Sequence, residues 1–404
     1  MNGTPASATA RARNVVLAAY LGWTLDAFDF FILIFTFDDA ARTFGVGIEA
    51  MSVAITLTLA MRAVGALIFG RLADHIGRKP TLMLVILLYS LFEGLSGLAW
   101  SYVSFLVLRT LFGIAMGGEW GVGSALAMET IPVSWRGWVS GLLQAGYPSG
   151  YFLATLLFGL LYDHIGWRGM FFVGAAPAIL VFFISRAVEE SPVYHQLATR
   201  ERTPLFTVLG RHLGLTLFAM VLMTAFNFFS HGTQDIYPKL FLGAQRHFSH
   251  GDITTIALIY NVGAIVGGLF FGWLSQKLGR RMAIGLASLL ALVVVYPWSH
   301  GTSVPSLAAA AFLMQFAVQG AWGVVPVYLN ELSPAEIRGT FPGFVYQFGN
   351  FLASYNAPLQ VMLAAHYGGD YGFALMAVAA TVAVVLILLM LVGREAHGVA
   401  MSHD

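Results

Sequence analysis

Four polar side chains share one face of an otherwise apolar stretch that begins near Leu213, and they are the first candidates for chemistry. They are Asn227, His231, Gln234 and Asp235. On a helix that turns about 100° per residue, they fall within an arc of about 100°. This face cannot point at lipid, because each side chain would lose its water partners at a cost of several kcal/mol. Interhelical hydrogen bonding that only holds a bundle together is one explanation. An ionisable pair beside two amides favours a functional cavity.

Two acids and an arginine form a second group of candidates in the first part of the chain. Asp26 and Asp29 lie about 60° apart on one helical face and near the middle of an apolar stretch. Two carboxylates at that depth are not both ionised unless a cation is close, because burial and mutual repulsion disfavour the charges. Arg62 either neutralises one of them or binds a substrate carboxylate through its planar fork of donors. A purely structural pair of arginine and aspartate is the alternative.

Further polar side chains lie within apolar stretches, and several of them extend the candidate site. Arg109 and Glu119 flank glycines at four-residue spacing, which let another helix approach closely, so either residue is functional or structural. Glu93 has no evident role. The substrate-binding candidates are Arg62, Tyr147, Asn227, His231, Gln234, Gln347 and Asn350, and the proton-coupling candidates are Asp26, Asp29, Glu119, His231 and Asp235.

The composition determines what kind of element can position these residues. The 404 residues are 58% hydrophobic and 10% charged, with a mean hydropathy of +0.76. Because soluble domains have about 25% charged residues, the chain is a polytopic membrane protein. The absence of cysteine excludes disulfides and thiolate sites, and the net charge of +1 gives no reason to expect nucleic acid. Without a cluster of neighbouring histidines, we expect no metal and no cofactor.

Membrane helices need about 20 apolar residues, and the sequence offers twelve candidates. They are residues 14–37, 50–72, 80–99, 102–126, 138–161, 168–187, 212–236, 253–275, 282–299, 304–329, 340–364 and 372–393. With the N-terminus inside, fifteen Lys and Arg lie on one side and four on the other, and two lie within spans. This bias predicts that both termini are cytoplasmic.

An internal repeat organises the twelve spans. A shift of 202 residues superposes three motifs without a gap: Gly70, Gly77 and Arg78 on Gly272, Gly279 and Arg280; Gly118, Trp120 and Gly121 on Gly320, Trp322 and Gly323; and Glu129, Pro132, Arg136 and Gly137 on Glu331, Pro334, Arg338 and Gly339. The repeat predicts two homologous six-helix halves, residues 1–188 and 212–404. Residues 189–211, which include Arg200, Glu201 and Arg202, form a cytoplasmic linker. Substrate sites in such proteins lie near the midplane between the halves.

The loop after the second span, Gly70–Lys79, and its weaker copy Gly272–Arg281 carry charges that could latch the cytoplasmic ends of the halves together. Asp74 can pair with Arg78 or with Arg136, and such pairs would break when the halves rock. Gln276 stands where the second copy would have the equivalent of Asp74, so a latch there lacks that carboxylate. The alternative is that these charges only set orientation. The latch candidates are Asp74, Arg78, Glu129, Arg136, Glu331 and Arg338.

These motifs resemble those of a known family. Gly70–Lys79 resembles the loop signature of the major facilitator superfamily, and Arg109–Glu119 resembles its fourth-span pattern. The two Glu–Arg loops, 129–136 and 331–338, together with the Glu-Ser-Pro triplet at 190–192, resemble its sugar-porter members. The resemblance covers nearly the whole chain and implies an all-α membrane protein with twelve transmembrane helices.

The stretch from Asn227 to Asp235, with Gly22–Asp29, resembles lactate permeases of the lactate/sialate proton-symporter branch. In that branch the Asn, His, Gln and Asp of this pattern are linked to transport, and an arginine in the second span is linked to substrate. The resemblance therefore implies transport roles for Asn227, His231, Gln234 and Asp235, and a substrate role for Arg62. The chain has Lys239 where the pattern has threonine, and this departure bears on the identity of the substrate.

We therefore predict a proton-coupled symporter of a small monocarboxylate such as lactate or pyruvate, working by alternating access. The alternatives are a symporter of a larger organic acid, sialate or an aromatic acid, and a transporter-like nutrient receptor. No catalytic constellation indicates an enzyme. Asp29 corresponds to His231 under the 202-residue shift, which predicts a ring of proton-carrying groups at one depth. The expected partners are the acid, the proton and the lipid bilayer, for a monomer in a bacterial cytoplasmic membrane.

Overall fold

The computed structural model describes residues 5–197 and 204–401, and within these ranges the regular structure is helical, with no strand. The predicted linker lies only partly in these ranges, because Arg200, Glu201 and Arg202 fall outside the described residues. The division at residues 189–211 stays a prediction.

The helices follow one another with short connections. The first part of the chain forms α1 Pro5–Phe35, α2 Phe37–Phe44, α3 Ile48–Ile76, α4 Arg78–Gly97, α5 Tyr102–Met116, α6 Glu119–Thr130, α7 Arg136–Gln144, α8 Gly146–Val173, α9 Ala178–Ala187 and α10 Pro192–Leu197. The second part forms α11 Leu205–Arg211, α12 Leu213–Gln234, a π-helical segment Tyr237–Gln245, α13 His250–Leu278, α14 Arg280–His300, α15 Val304–Trp322, α16 Val325–Leu332, α17 Phe341–Ala353, α18 Asn356–His366 and α19 Tyr371–Val392. Single 3₁₀ turns at Val133–Trp135 and Ala335–Ile337 precede α7 and α17.

The twelve predicted spans are not all unbroken helices. By length and composition, nine helical stretches in the described ranges can cross a membrane, or ten if the bent pair Val133–Val173 and Ala178–Ala187 counts as one span. The fifth and sixth predicted spans both fall within this bent pair, which is interrupted at Gly166, where a φ of 62° suits glycine. The eleventh is divided between α17 and α18. Short irregular breaks thus separate helices that the hydropathy pattern treats as single segments.

The two halves approach each other closely through paired glycines. A Cβ added to Gly121 of α6 would lie 2.8 Å from the Cα of Gly343 in α17. A Cβ on Gly141 of α7 would collide with the carbonyl of Gly268 in α13. Glycine at these positions lets backbones pack where any larger residue would separate the helices. At these points the two halves are in direct backbone contact.

Candidate functional site

A cavity of about 540 Å³ lies between the two halves, and its two walls differ in chemistry. From the first half it is lined by Phe30, Phe31, Ile34, Thr56, Leu59, Ala60, Tyr147, Pro148 and Tyr151. From the second half it is lined by His231, Gln234, Asp235, Tyr260, Asn261, Ala264, Gln315, Gln319, Asn350, Phe351 and Ser354. We call Phe30, Phe31, Tyr147 and Tyr151 the aromatic wall, and Gln234, Asn261, Gln315, Gln319 and Asn350 the amide wall.

His231 lies between two oxygen atoms on the cavity surface. Its Nδ1 is 3.1 Å from Oδ1 of Asp235, one turn later on the same helical face. Its Nε2 is 3.2 Å from Oδ1 of Asn350 on α17, and Nδ2 of Asn350 donates to Gln347 at 3.4 Å. With the Asn350 amide in this orientation, both ring nitrogens face acceptors, and a doubly protonated imidazolium satisfies both.

Three residues of the amide wall, Gln234, Gln315 and Gln319, join α12 to α15 through hydrogen bonds. Nε2 of Gln234 donates to Oε1 of Gln315 at 3.0 Å and to Ser230 at 3.3 Å. Gln315 in turn donates to Thr233 at 3.0 Å, and Gln319 donates to Ser230 at 3.1 Å. The donors thus point into the wall, and the oxygens of Gln234 and Gln319 accept no hydrogen bond from the described residues. These oxygens are available to a substrate donor.

The helical arc predicted on α12 reaches the cavity with three of its four members. His231, Gln234 and Asp235 line it, whereas Asn227 does not. Asn227 lies two turns before Asp235 and is buried against α17. Its Nδ2 donates to the carbonyl of Met223 in its own helix at 2.8 Å and to that of Tyr346 in α17 at 3.4 Å. Gln347 is buried beside Asn350 and is also absent from the lining. The predicted face therefore does line the cavity, but α17 covers the end of the face that carries Asn227.

Arg62 is paired with an acid instead of facing the cavity. Its Nη2 lies 2.9 Å from Oδ2 of Asp26, and both residues are buried. Its guanidinium carbon is 5.9 Å from the centre of the Trp23 ring, which itself packs against Tyr147 of the aromatic wall. The structure therefore realises the predicted pairing of Arg62 with Asp26. The role of Arg62 as a substrate anchor stays a prediction, because this conformation does not bring it to the cavity.

Asp29 lies away from the cavity, in a sealed cluster within the first half. Both its carboxylate oxygens are buried, and neither has a hydrogen-bond partner among the described residues. A Cβ on Gly174 would lie 3.0 Å from Oδ1 of Asp29 and 3.2 Å from Oε1 of Glu93, so the two acids border the same point. The ring of proton carriers that sequence symmetry predicted is therefore not assembled around the cavity, because Asp29 shares the depth of His231 but not its direction.

Glu93, which the sequence left without a role, is the partner of Arg109. Its Oε2 lies 2.8 Å from Nη2 of Arg109, and both side chains are fully buried. Arg109 also donates from Nε to Ser96 at 3.1 Å, and the Phe112 ring lies 4.3 Å from its guanidinium carbon. The pair could have been inferred from sequence, since an arginine and a glutamate occur within neighbouring apolar spans.

Glu119 adds a fourth acid to the interior of the first half. It is buried beside Gly22 of α1, and within residues 5–197 and 204–401 neither carboxylate oxygen has a hydrogen-bond partner. The buried acids Asp26, Asp29, Glu93 and Glu119 thus share this interior with two arginines, Arg62 and Arg109. Uncompensated buried charge is expensive. Two of the four carboxyls are therefore expected to be protonated, and Asp29 and Glu119 are the two without an ion-pair partner.

The end of the bundle that carries Gly70–Lys79 and Gly272–Arg281, which we call the loop-motif end, is tightly joined. Within each half, an arginine binds a glutamate through two donors: Arg78 binds Glu129 at 3.1 Å twice, and Arg280 binds Glu331 at 2.8 and 3.0 Å. These pairs stabilise each half, and both glutamates also face an arginine of the opposite half.

Asp74 crosses from the first half to the second. Its Oδ1 accepts from the backbone of Gly339 at 2.8 Å, and its Oδ2 accepts from Thr340 at 2.6 Å. It also lies 3.4 Å from Arg78, as predicted, but it does not pair with Arg136. Of the two predicted partners the structure thus has Arg78, because Arg136 points across the interface to Glu331, at 3.7 Å.

The second copy of the latch works with an amide. Oε1 of Gln276 accepts from the backbone of Gly137 at 3.0 Å, which mirrors Asp74 and Gly339 under the 202-residue shift. Arg338 mirrors Arg136 and faces Glu129 of the first half at 3.9 Å. Burial lowers the pKa of Arg338, and the Glu129 carboxylate opposes that shift. The second copy of the latch thus keeps its contact with the opposite half, with the neutral oxygen of Gln276 in place of a carboxylate.

The segment Arg394–Met401, after the last helix, lies across both halves at the same end. The carbonyl of Val399 accepts from Arg136 at 2.8 Å, and that of Met401 accepts from Arg338 at 3.2 Å. Glu395 accepts from the first backbone N–H groups of α14 at 3.1 Å. Nothing in its sequence signalled this segment. The loop-motif end is thus closed, while the cavity is lined by positions farther from it along the helices.

The chain matches known families over nearly its whole length. Residues 19–234 match the Major Facilitator Superfamily model, and residues 213–397 match that of Sugar (and other) transporters. A probable 4-methylmuconolactone transporter of Cupriavidus pinatubonensis is 32% identical, with 87% of this chain and 83% of the relative covered. The sialic acid transporter NanX of Escherichia coli is 27% identical, with 96% and 95% covered.

The fold is also similar to that of a solved structure. The proton:xylose symporter XylE superposes with a TM-score of 0.74 and 18% sequence identity, over 96% of this chain and 97% of that one. At this identity the likeness supports the twelve-helix architecture in two halves and carries nothing about substrate.

Proposed function

Because the chain belongs to the major facilitator superfamily, we propose that it is a proton-coupled transporter of an organic acid that works by alternating access. The chain is a multi-pass membrane protein, and its relatives include a transporter named for sialic acid. A small monocarboxylate such as lactate remains the simplest cargo for the site, and a larger acid is the alternative. The Lys and Arg bias supports an orientation in which the loop-motif end and both termini face the bacterial cytoplasm.

The observation that carries the proposal is the position of His231. Among the described residues that line the cavity, His231 is the one basic side chain, because Arg62 is held by Asp26 behind Trp23. A carboxylate that enters the cavity therefore meets an imidazolium as its counter-charge. The surrounding amides and hydroxyls can hydrogen-bond the rest of a polar acid.

The pairing of His231 with Asp235 offers a way to couple the substrate to a proton. As long as Asp235 is ionised, it neutralises the imidazolium, and the pair has no net charge to offer an anion. A proton taken up by Asp235 turns its carboxylate into a neutral acid and leaves the charge of His231 uncompensated. The substrate carboxylate then replaces Asp235 as the partner of the imidazolium. Release of the substrate returns His231 to Asp235, which loses the proton to water.

The buried pair of Arg62 and Asp26 supplies a second step in the same proposal. If Asp26 takes up the proton that Asp235 releases, the fork of Arg62 is freed to bind a carboxylate through two hydrogen bonds, and one proton still accompanies one anion. The substrate would thus pass from His231 toward Arg62 as the halves rearrange around the site. The bonds of Asp74 to Gly339 and Thr340 must break for the loop-motif end to open, which assigns the latch residues to switching and not to binding.

Uptake by variants in proteoliposomes tests the proposal. His231→Ala and Asp235→Asn are expected to abolish accumulation of labelled lactate driven by a pH gradient. His366→Ala removes a histidine that is exposed and remote from the cavity, and it serves as the matched control that should transport normally. Full accumulation by His231→Ala would contradict the proposed role of the imidazolium. If proteoliposomes with the unaltered protein accumulate neither lactate nor benzoate nor cyclohexanecarboxylate, acid transport itself is contradicted.

A further inference from the structure

The geometry points to a cargo more specific than a small aliphatic acid: a monocarboxylate with a flat aromatic ring, held between the aromatic wall and His231. This inference rests on the proposed transport of an organic acid. It concerns the part of the cargo that does not carry the charge, and it is drawn from the first-half wall, which the proton mechanism does not use.

The size of the cavity is the first argument. Its volume of about 540 Å³ falls in the range of about 300–1,000 Å³ that is typical of sites for ligands of drug size. A three-carbon acid such as lactate would fill only a small part of this space and would leave the aromatic wall facing water. A carboxylate attached to a ring can contact His231 and the aromatic wall at the same time.

The arrangement of the rings is the second argument. Phe31 is the centre of the wall, and its ring centre lies 5.6 Å from Phe30, 5.4 Å from Tyr147 and 4.8 Å from Tyr151. The three pairs are edge-to-face, with interplanar angles of 71°, 64° and 80°. Such a set presents both ring faces and ring edges, and a further aromatic ring can join it in the same geometry. A saturated ring would be buried equally but would lack the π interaction.

The contrast between the walls is the third argument, because it fixes the direction of the cargo. The charged pair His231 and Asp235, with the imidazole that would bind a carboxylate, belongs to the second half. The first half contributes no charged side chain to the described lining. An aromatic acid therefore binds with its carboxylate toward α12 and its ring toward α1 and α8, so that one molecule touches both halves.

Competition between two ring acids of equal carbon number tests the inference. Benzoate and cyclohexanecarboxylate carry the same charge and differ in the flatness and π character of the ring. We expect benzoate to compete for the site about two- to tenfold better than cyclohexanecarboxylate, which is the equivalent of one or two aromatic contacts. Lactate should compete more weakly than either. Equal competition by the two ring acids would overturn the aromatic selectivity and would leave acid transport standing.

A pair of adjacent variants places the effect on the wall. Tyr151→Leu removes a ring from the cavity surface, whereas Phe152→Leu removes its neighbour, which is 62% exposed on the outer surface. Tyr151→Leu should remove the preference for benzoate over cyclohexanecarboxylate, and Phe152→Leu should keep it. Phe31→Leu is a second variant of the wall, for use if Tyr151→Leu does not fold by size-exclusion profile. Retention of the full preference by a folded Tyr151→Leu or Phe31→Leu protein would contradict the inference.

Discussion

The two halves differ in whether their ionisable side chains are sealed in the interior or face the cavity. The first half holds four acids and two arginines, with the ion pairs Arg62–Asp26 and Arg109–Glu93 sealed from the cavity. The second half faces the cavity with neutral amides and a single ionisable pair, His231 and Asp235. In this conformation the ionisable pair that faces the cavity belongs to the second half, whereas the first half keeps its charges in sealed pairs.

The contrast is sharpest at the two positions that the repeat makes equivalent. Asp29 and His231 occupy matching places on α1 and α12, yet His231 faces the other half whereas Asp29 faces Glu93 and Gly174 within its own half. Positions that match under the repeat therefore need not face the same way. The following predictions test this difference between the halves, from the largest expected effect to the smallest.

Removal of one member of the sealed pair should have the largest effect, and it should act on stability. Arg109→Met leaves Glu93 buried without a counter-charge, and loss of one partner of a buried ion pair costs about 3–5 kcal/mol. We expect a marked fall in the thermal unfolding temperature in detergent. The double variant Glu93→Leu with Arg109→Met removes both charges and should recover most of the loss. If the single and double variants unfold alike, the pair is not the source of the stability.

Replacement of Arg62 should act on binding. Arg62→Lys keeps the charge but loses the planar fork, so we expect at least a tenfold loss in substrate affinity, about 1.4 kcal/mol. Affinity is measured by equilibrium binding to the purified protein. An unchanged affinity would show that Arg62 serves only as the partner of Asp26, and the first half would then contact the cargo only through the aromatic wall.

The latch should give the smallest effect, and it should act on the rate. Asp74→Gln copies the amide that Gln276 uses in the second half, so it can keep an acceptor for Gly339 while losing the charge beside Arg78. Exchange of a charged acceptor for a neutral one, about 1 kcal/mol, predicts turnover slowed by about fivefold with substrate affinity unchanged. Gln276→Asn, which shortens the equivalent side chain, is the matched variant. A loss of equilibrium binding with normal turnover would contradict the latch.

Much of the architecture could be predicted from sequence because it depends on regular patterns. The hydropathy of the chain gave the positions of the spans, and the 202-residue repeat gave two halves that now share mirrored contacts at Asp74 and Gln276. The face formed by His231, Gln234 and Asp235 followed from helical periodicity, and these three side chains do line the cavity.

The rest depended on packing that no pattern encodes. Periodicity tells which residues share a face of a helix, but not which neighbour covers that face, so Asn227 and Asp29 were assigned to a cavity that they do not reach. Arg62 was equally consistent with a substrate or with Asp26 as its partner. The segment Arg394–Met401 binds Arg136 and Arg338 through backbone carbonyls, which carry no signature in the amino-acid sequence.

We propose that one proton accompanies one monoanion through the site at His231 and Asp235. Such transport moves no net charge, so a membrane potential, which contributes about 2.3 kcal/mol per elementary charge at 100 mV, should contribute nothing. The decisive measurement is acid uptake into proteoliposomes with a set pH gradient, with and without a potassium–valinomycin potential. We expect the uptake rate to depend on the pH gradient and to be the same with and without the membrane potential. Stimulation by an inside-negative potential at zero pH gradient would contradict it.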